Sequence, residues 1–374
     1  MSVDQLVAWG VLYYAYTALS SPLALDLNVS RLHVAAAFSS CLLVAGWVGR
    51  LLGPVLDARG TRGALRAGAI FAPLAFASIA LIGGFPSLLL AFALLGASHA
   101  LTLYEPAFRT IADWCPDEAT RAQAMLGLTI VGGFASAVFL PFTGWLVARY
   151  GWRESVLILA GVLMTVLLPA RFLLPLPHRV DPQTPSDPVD ASPSEGRLAT
   201  ALSLHSLAST GVFVYLMWHL VERGESLATA AAIAGLAGAA QVPGRILFGF
   251  LRRRVGYQSF LPLLLSVQAA ALLGVAVVPG VISTTSIFVF GAANGMMTLE
   301  RTTVLIEWYG RSTLGARQGR LAAATGTARA VSPFVVEAGH HIASYAVMFC
   351  ILCLALAFGA WVCRSALILR AGEV

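Results

Sequence analysis

Long apolar runs separated by short polar stretches make up most of this chain. Each run contains about 20 residues, the length that an α-helix needs to cross a bilayer core of about 30 Å. Strict alternation over about ten residues, which is typical of membrane barrels, is not the pattern. Twelve such runs lie near 4–25, 33–56, 64–84, 86–110, 122–147, 153–174, 200–222, 227–250, 258–279, 281–306, 318–339 and 342–364. The pattern therefore predicts an all-α integral membrane protein with twelve transmembrane helices.

The chain is predicted to divide into two halves. Residues 175–199 are rich in Pro, Ser and Asp, which indicates a disordered cytoplasmic linker between six-helix bundles at 1–174 and 200–374. Four identical residue pairs share a separation of 196 positions, which favours an internal duplication: Gly53 and Gly249, Gly60 and Gly256, Thr102 and Thr298, Arg121 and Arg317. Two such repeats predict a binding site between them, near the midplane of the membrane.

Composition excludes several classes of function. The chain is 58% hydrophobic and 11% charged, and none of its 24 basic residues is a lysine. The absence of lysine excludes a Walker A loop and Schiff-base chemistry. Because no catalytic or metal-binding motif is present either, we predict a protein that is not an enzyme and uses no cofactor or metal.

The arginines predict the orientation of the chain. Sixteen of them fall on one set of loops and tails and four on the other, while four lie inside the apolar runs. The positive-inside rule then places both termini in the cytoplasm. The net charge of +6 is explained by this topology rather than by a nucleic-acid partner. We expect a multi-pass protein of the cell membrane, most simply a bacterial inner membrane.

The stretch GRLLGPVLDARGTRG, residues 49–63, carries a recognisable motif. Gly53, Asp57, Gly60 and Arg62 resemble the signature between helices 2 and 3 of the major facilitator superfamily. The resemblance implies two bundles that work by alternating access, usually as a monomer, and a latch on the cytoplasmic side.

Physical chemistry gives the motif a compatible role. Gly53 permits close helix packing and Gly60 a tight turn, while Asp57 can meet the positive end of a helix. Arg109 and Asp113, four residues apart, are predicted to be partners in the latch. A charged turn that only sets topology is the alternative interpretation.

The segment AAQVPGRILFG resembles a stretch of the monocarboxylate transporter branch. In that branch the arginine binds the substrate carboxylate, which implies this role for Arg245. Gln241 takes the place of an aspartate that helps to carry the coupled proton. A guanidinium also suits a carboxylate on chemical grounds, because it can bind both oxygens at once. A packing role for Arg245 is the alternative.

Other polar residues inside the apolar runs are further candidates, since charge within a membrane is costly. Arg329 is predicted near the midplane as a second anchor for an anion. Arg301 is expected to form an internal ion pair with Glu300 or Glu307. Glu105 is the candidate for proton coupling, with pairing to Arg109 as the alternative. The superfamily pattern also makes Tyr13, Tyr104 and Asn294 candidate residues of the substrate site.

The sequence thus predicts a secondary transporter of a small organic anion, a monocarboxylate, with proton symport. Two alternatives stay open: proton-driven efflux of an amphipathic compound, and a sensor of the same fold that does not transport.

Overall fold

The computed structural model describes residues 1–115, 117–173, 195–310, 314–340 and 342–371, and all regular secondary structure in these ranges is helical. The helices are α1 (Ser2–Trp9), α2 (Ala15–Asp26), α3 (Arg31–Arg59), α4 (Arg62–Ala77), α5 (Phe85–Thr102), α6 (Tyr104–Trp114), α7 (Glu118–Gly133), α8 (Ala135–Tyr150), α9 (Trp152–Phe172), α10 (Glu195–Glu222), α11 (Leu227–Ala239), α12 (Gln241–Val255), α13 (Tyr257–Val277), α14 (Val281–Tyr309), α15 (Leu314–His340) and α16 (Tyr345–Ala371). A π-helical turn, Gly10–Tyr14, joins α1 to α2, and a 3-10 turn, Ser78–Leu81, extends α4. The all-α prediction is confirmed.

Nine helical segments among the described residues are long and apolar enough to cross a membrane. They are His33–Arg59, Arg62–Leu81, Phe85–Trp114, Trp152–Phe172, Glu195–Glu222, Ile233–Val255, Tyr257–Val277, Val281–Tyr309 and Tyr345–Ser365. The runs predicted near 4–25, 122–147 and 318–339 are helical as well. The first run is interrupted at the π-helical turn and the second at Phe134, and the third contains Arg320 and Arg329. The count of twelve spans stays a prediction.

The helix ends follow from local chemistry. Ser30, Asp117 and Ser226 each precede a helix and accept a hydrogen bond from the backbone N–H three residues on. Such caps satisfy amide groups that have no partner within the helix. Gly60 and Gly256, which share the repeat position, end α3 and α12 with φ of 72° and 91°, a region that favours glycine.

The described residues form two compact units. The first comprises those of Met1–Pro185 and of Arg311–Gly326, and the second those of Ser186–Gly310 and of Thr327–Val374. Of the predicted linker 175–199, residues 175–194 lie outside the described residues, while 195–199 form the first turn of α10.

The first unit is held together by large apolar side chains and by close backbone contact. α3 packs against α5, and α4 against α5 and α9. Phe76, Phe92 and Leu163 are almost fully buried between these helices. A Cβ at Gly96 of α5 would overlap the carbonyl oxygen of Cys41 in α3, so the two backbones touch. Small residues allow this approach, which is common in membrane proteins.

The second unit uses the same packing mode. α13 packs against α14 and α16, and α10 packs against α16. A Cβ at Gly291 would overlap the carbonyl oxygen of Ala237, and one at Gly244 would overlap that of Ala292. α11 and α12 therefore each approach α14 at backbone distance.

A buried ion pair ties four helices of the first unit together. Arg171 Nε and Nη2 bind the two carboxylate oxygens of Asp4 at 2.9 Å each, and these side chains are 1% and 3% exposed. Arg171 also donates to the carbonyl oxygens of Leu65 and Thr102, and Gln5 donates to Thr102 as well. Because Thr102 ends α5, this carbonyl group has lost its helical partner. The sequence analysis did not predict this pair, because Asp4 and Arg171 are 167 residues apart and no local pattern joins them.

We expect Arg171→Ala to lower the free energy of unfolding by about 3–5 kcal/mol, because it leaves the buried Asp4 carboxylate without its partner. The measurement is unfolding of the purified protein in detergent. Arg153→Ala is the control: its ion pair with Asp26 spans 2.7 Å, but both side chains are 42% exposed, so the expected loss is below about 1 kcal/mol. Equal losses for the two variants would contradict the account.

Candidate functional site

Asp57, in the last turn of α3, lies at the start of α15. Its two carboxylate oxygens accept hydrogen bonds from the backbone N–H groups of Gly315 (2.8 Å) and Ala316 (2.7 Å). These amide groups belong to the first turn of α15, where the helix dipole is positive. The carboxylate therefore caps α15, and all of these residues belong to the first unit.

Arg109 of α6 brings a positive charge to the same carboxylate. Its Nη1 lies 3.2 Å from Asp57 Oδ1, and its Nε lies 3.3 Å from Asp113 Oδ1. These three side chains are mostly buried. The structure thus joins Asp57, Arg109 and Asp113 in one network.

Glycines carry α3 and α15 into backbone contact beside this network. A Cβ at Gly53 would overlap the carbonyl oxygen of Gly315, and one at Gly319 would overlap that of Gly49. A Cβ at Gly46 would lie 2.6 Å from the carbonyl oxygen of Ala322. The contact extends over about two helical turns.

The other two residues of the predicted latch lie beside the network. Gly60 forms the turn after α3, and no heavy atom lies within 4 Å of a Cβ built there. Arg62 is the first residue of α4 and makes no ion pair with any described residue. Whether the six residues work as a latch stays a prediction.

Arg245 and Gln241 lie one turn apart on α12. Arg245 Nη2 donates to Gln241 Oε1 at 3.1 Å, and Arg245 is 6% exposed. The backbone of Gln241 lies against Gly295 of α14, next to the half-buried Asn294. The structure therefore places these three predicted residues close together in the second unit.

Arg329 lies on the part of α15 that belongs to the second unit. The residue is half-buried, and within the described ranges no carboxylate is paired with it. Its guanidinium is close enough to His205 of α10 to act on it electrostatically, as is that of Arg301. His205 in turn contacts Gln268 of α13, with 2.9 Å between Nδ1 and Oε1.

Tyr13 and Tyr104 belong to an aromatic cluster in the first unit. Trp9 lies between them, with ring centroids 5.3 Å from Tyr13 and 4.8 Å from Tyr104. Tyr13 is part of the π-helical turn, a distortion that is frequent at functional sites. Glu105 follows directly, in the first turn of α6, and is close enough to His99 for electrostatic interaction.

Glu300 and Glu307, the partners expected for Arg301, form ion pairs with Arg252. Arg252 Nε lies 2.6 Å from Glu300 Oε2, and its Nη1 and Nη2 bind both oxygens of Glu307. Glu300 and Glu307 are seven residues apart, so they lie on one face of α14, whereas Arg301 points about 100° away from Glu300. This spacing, together with the position of Arg252 beside the repeat of Asp57, was the signal that sequence analysis did not use.

No group of three or more His, Cys, Asp or Glu residues suited to a metal ion occurs in the part of the chain that the structure describes.

Comparison with known proteins gives one consistent result. Residues 5–299 match the family model of the Major Facilitator Superfamily. The chain is 26% identical to monocarboxylate transporter 13 of Bos taurus over 206 residues (51% of this chain, 46% of that protein). It is also 26% identical to monocarboxylate transporter 11 of Homo sapiens over 258 residues (64% of this chain, 54% of that protein). The chain spans about half the length of these curated relatives.

Solved structures share the fold. FucP in the outward conformation matches with a TM-score of 0.74 at 14% identity, covering 98% of this chain and 97% of FucP. The proton:xylose symporter XylE matches with a TM-score of 0.77 at 13% identity, covering 96% of this chain and 93% of XylE. The human organic anion transporter MFSD10 matches with a TM-score of 0.70 at 15% identity, covering 97% of this chain and 96% of MFSD10. At these identities the likeness shows the fold alone.

Gly53→Ala is expected to lower the free energy of unfolding by about 1–3 kcal/mol, because the new methyl group overlaps the backbone of Gly315 and forces α3 away from α15. Thermal unfolding in detergent provides the measurement. Gly63→Ala in α4 is the control, since no heavy atom lies within 4 Å of the added carbon, and it is expected to leave stability unchanged or raised. A Gly53→Ala protein as stable as the control would refute close packing here.

Proposed function

Because the chain belongs to the Major Facilitator Superfamily, we propose that it carries a small organic anion, a monocarboxylate, across a membrane together with protons. Members of this superfamily are multi-pass membrane carriers without enzymatic activity, and they move small molecules with proton or ion coupling. The substrate, the coupling ion and the residues involved are the parts that we propose.

The observation that carries the proposal is that no carboxylate of the described residues forms an ion pair with Arg329. A guanidinium inside a membrane-spanning helix is costly unless an opposite charge or several hydrogen-bond acceptors accompany it. The buried arginines Arg171 and Arg252 bind carboxylates of the protein, whereas no carboxylate of the described residues pairs with the half-buried Arg329. A substrate carboxylate would supply the missing charge and fit the guanidinium through two parallel hydrogen bonds.

Arg245 is the second anchor in this proposal. Gln241 Oε1 accepts one of its hydrogen bonds, and its planar guanidinium can bind both oxygens of a carboxylate. The relatives of this chain are named as monocarboxylate transporters, which supports a monocarboxylate as the substrate. The human structure of similar fold is named as an organic anion transporter, which supports an anion more generally.

Proton coupling is supported by a different observation. Glu105 is half-buried, follows the break between α5 and α6, and lies beside the aromatic cluster of Trp9, Tyr13 and Tyr104. We propose that its carboxyl group binds and releases the coupled proton. Two solved structures of similar fold are named as proton symporters, for fucose and for xylose.

The contact between α3 and α15 would serve as the cytoplasmic latch. Its hydrogen bonds and backbone contacts lie next to one another along the two helices, so they can break and form again together. We further propose that the halves 1–174 and 200–374 act as the two repeats, that both termini are cytoplasmic in a bacterial inner membrane, and that the protein is a monomer.

Arg329→Ala is expected to reduce uptake of a labelled monocarboxylate into proteoliposomes by about tenfold or more, because a hydrogen bond to a charged group contributes about 1.5–3 kcal/mol. Uptake is driven by an imposed pH gradient and measured for a panel of short monocarboxylates. Arg245→Ala is expected to act in the same direction. Arg254→Ala is the matched control, since Arg254 lies on α12 like Arg245 but is exposed.

If both arginine variants take up the substrate as fast as the wild type, Arg329 and Arg245 are excluded as anchors. If the wild-type protein accumulates no monocarboxylate under any gradient, the substrate class is wrong, and the efflux or sensor hypotheses take its place.

Glu105→Gln is expected to abolish accumulation driven by a pH gradient while exchange of labelled for unlabelled substrate continues, because exchange needs no net release of a proton. Both reactions can be followed in the same proteoliposomes. Glu118→Gln, an exposed acidic residue in the first turn of α7, is the control. Normal gradient-driven accumulation in Glu105→Gln would rule out this role.

A further inference from the structure

The break between α5 and α6 follows from the proline at position 106. In a continuous helix the carbonyl oxygen of Thr102 would accept a hydrogen bond from the backbone nitrogen of Pro106, which carries no hydrogen. α5 accordingly ends at Thr102, Leu103 is extended with ψ of −156°, and α6 begins at Tyr104. The break therefore leaves the carbonyl group of the buried Thr102 without a partner from its own helix, three residues before Glu105.

Side chains from two other helices bind this carbonyl oxygen. Gln5 Nε2 donates to it at 2.7 Å, and Arg171 Nη2 donates to it at 3.1 Å. Asp4 holds both donors, since its carboxylate binds Arg171 and also lies 3.3 Å from Gln5 Nε2. α1 and α9 thus supply the donors that the proline removes from α6.

The amide group of Gln5 is explained by this hydrogen bond. Gln5 is fully buried, and both of its hydrogen-bond partners are acceptors, so the nitrogen must face them. Its Oε1 is buried and makes no hydrogen bond within the described part of the chain. An unsatisfied acceptor is costly, and an apolar side chain of the same length would avoid the cost. The residue is therefore suited to donating and not to accepting.

α1 contacts the chain on both sides of the break. Trp9 lies one turn after Gln5 on the same face of α1, and its ring centroid is 4.8 Å from that of Tyr104. Gln5 thus binds the last residue of α5, and Trp9 packs on the first residue of α6. On the other side, a Cβ built at Gly132 of α7 would lie 2.6 Å from the hydroxyl oxygen of Tyr104. These contacts fix the direction of the chain at Tyr104, and with it the place of Glu105.

We propose that Gln5 is a positioning residue for proton coupling. By binding the carbonyl oxygen of Thr102, it holds the break between α5 and α6 and so places the carboxyl group of Glu105 where the coupled proton is exchanged. Gln5 itself binds neither the proton nor the substrate. This inference rests on the proposed function and adds to it a residue that acts through Glu105.

Gln5→Met is the test variant, because it keeps the length of the side chain and removes the donor. Gln5 is neutral, so the change leaves the ion pair of Asp4 with Arg171 in place. The readout is the initial rate of accumulation driven by a pH gradient, divided by the initial rate of exchange in the same proteoliposomes. Labelled lactate is the first probe, and otherwise the acid of the panel that the wild-type protein takes up best.

The ratio is expected to fall about three- to tenfold in Gln5→Met, the factor that corresponds to one hydrogen bond. Accumulation needs net proton transfer through Glu105, whereas exchange does not. Gln5→His, in which a ring N–H can donate to the same carbonyl oxygen, is expected to recover most of the ratio.

Gln268→Met is the matched control. Gln268 is also fully buried with one amide atom that makes no hydrogen bond to the described residues, but it lies on α13 of the second unit. Its ratio is expected to equal that of the wild type. Because both rates come from the same vesicles, the ratio does not depend on the amount of folded protein, so a destabilised variant still gives an answer.

Pro106→Ala tests whether Gln5 acts at this carbonyl group. The alanine returns a backbone N–H to position 106, so Thr102 regains a partner within its own helix. Whatever the single change does to the ratio, adding Gln5→Met is expected to lower it by less than about twofold further, because the two changes affect one contact. A full additional loss in the double variant would contradict the inference.

Hydrogen exchange of the purified protein in detergent follows the break without any substrate. The amide groups of residues 103–114 are expected to exchange faster in Gln5→Met than in the wild type, and at the wild-type rate in Gln268→Met. Equal exchange in Gln5→Met and the wild type would overturn the inference.

The outcomes separate this inference from the proposed function. An unchanged ratio in Gln5→Met, together with lost accumulation in Glu105→Gln, would overturn the positioning role while the role of Glu105 stands. Normal accumulation in Glu105→Gln, or a wild-type protein that accumulates no acid of the panel, would overturn both.

Discussion

The neutralisation of charge inside apolar helices is the constraint on which this structure depends. Lipid offers no solvation for a guanidinium or carboxylate, so each must be bound within the protein. Asp4 with Arg171 and Arg252 with Glu300 satisfy this requirement by ion pairs, and Asp57 satisfies it with backbone N–H groups and Arg109. These contacts also link helices that are distant in sequence, so the same interactions that make charge tolerable define the packing.

The two units differ in the sign of the charged residue that ends the helix before the glycine turn. In the first, the acidic Asp57 at the end of α3 pairs with Arg109 of α6; in the second, the basic Arg252 at the end of α12 pairs with Glu300 and Glu307 of α14. In the sequence, GRILFGFLRRRVG (244–256) accordingly carries arginines near its end, where GRLLGPVLDARG (49–60) has Asp57. An ion pair is present in both units because the partner residues also carry the opposite charge.

Local patterns made much of the fold predictable. Apolar run lengths located the helices, and the repeated glycine turns appear at Gly60 and Gly256. The pairing of Arg109 with Asp113 followed from their spacing of four residues. The Asp4–Arg171 and Arg252–Glu300 pairs could not be predicted in this way, since they join helices through packing that no local pattern encodes.

The central claim is that a carboxylate ligand completes the charge of Arg329. The most direct test is thermal unfolding of the purified protein in detergent at increasing concentrations of lactate, a short monocarboxylate. The account predicts stabilisation of the wild type, by about 2.7 kcal/mol at a concentration one hundred times Kd, and none in Arg329→Ala. Equal stabilisation of both proteins by lactate would contradict it.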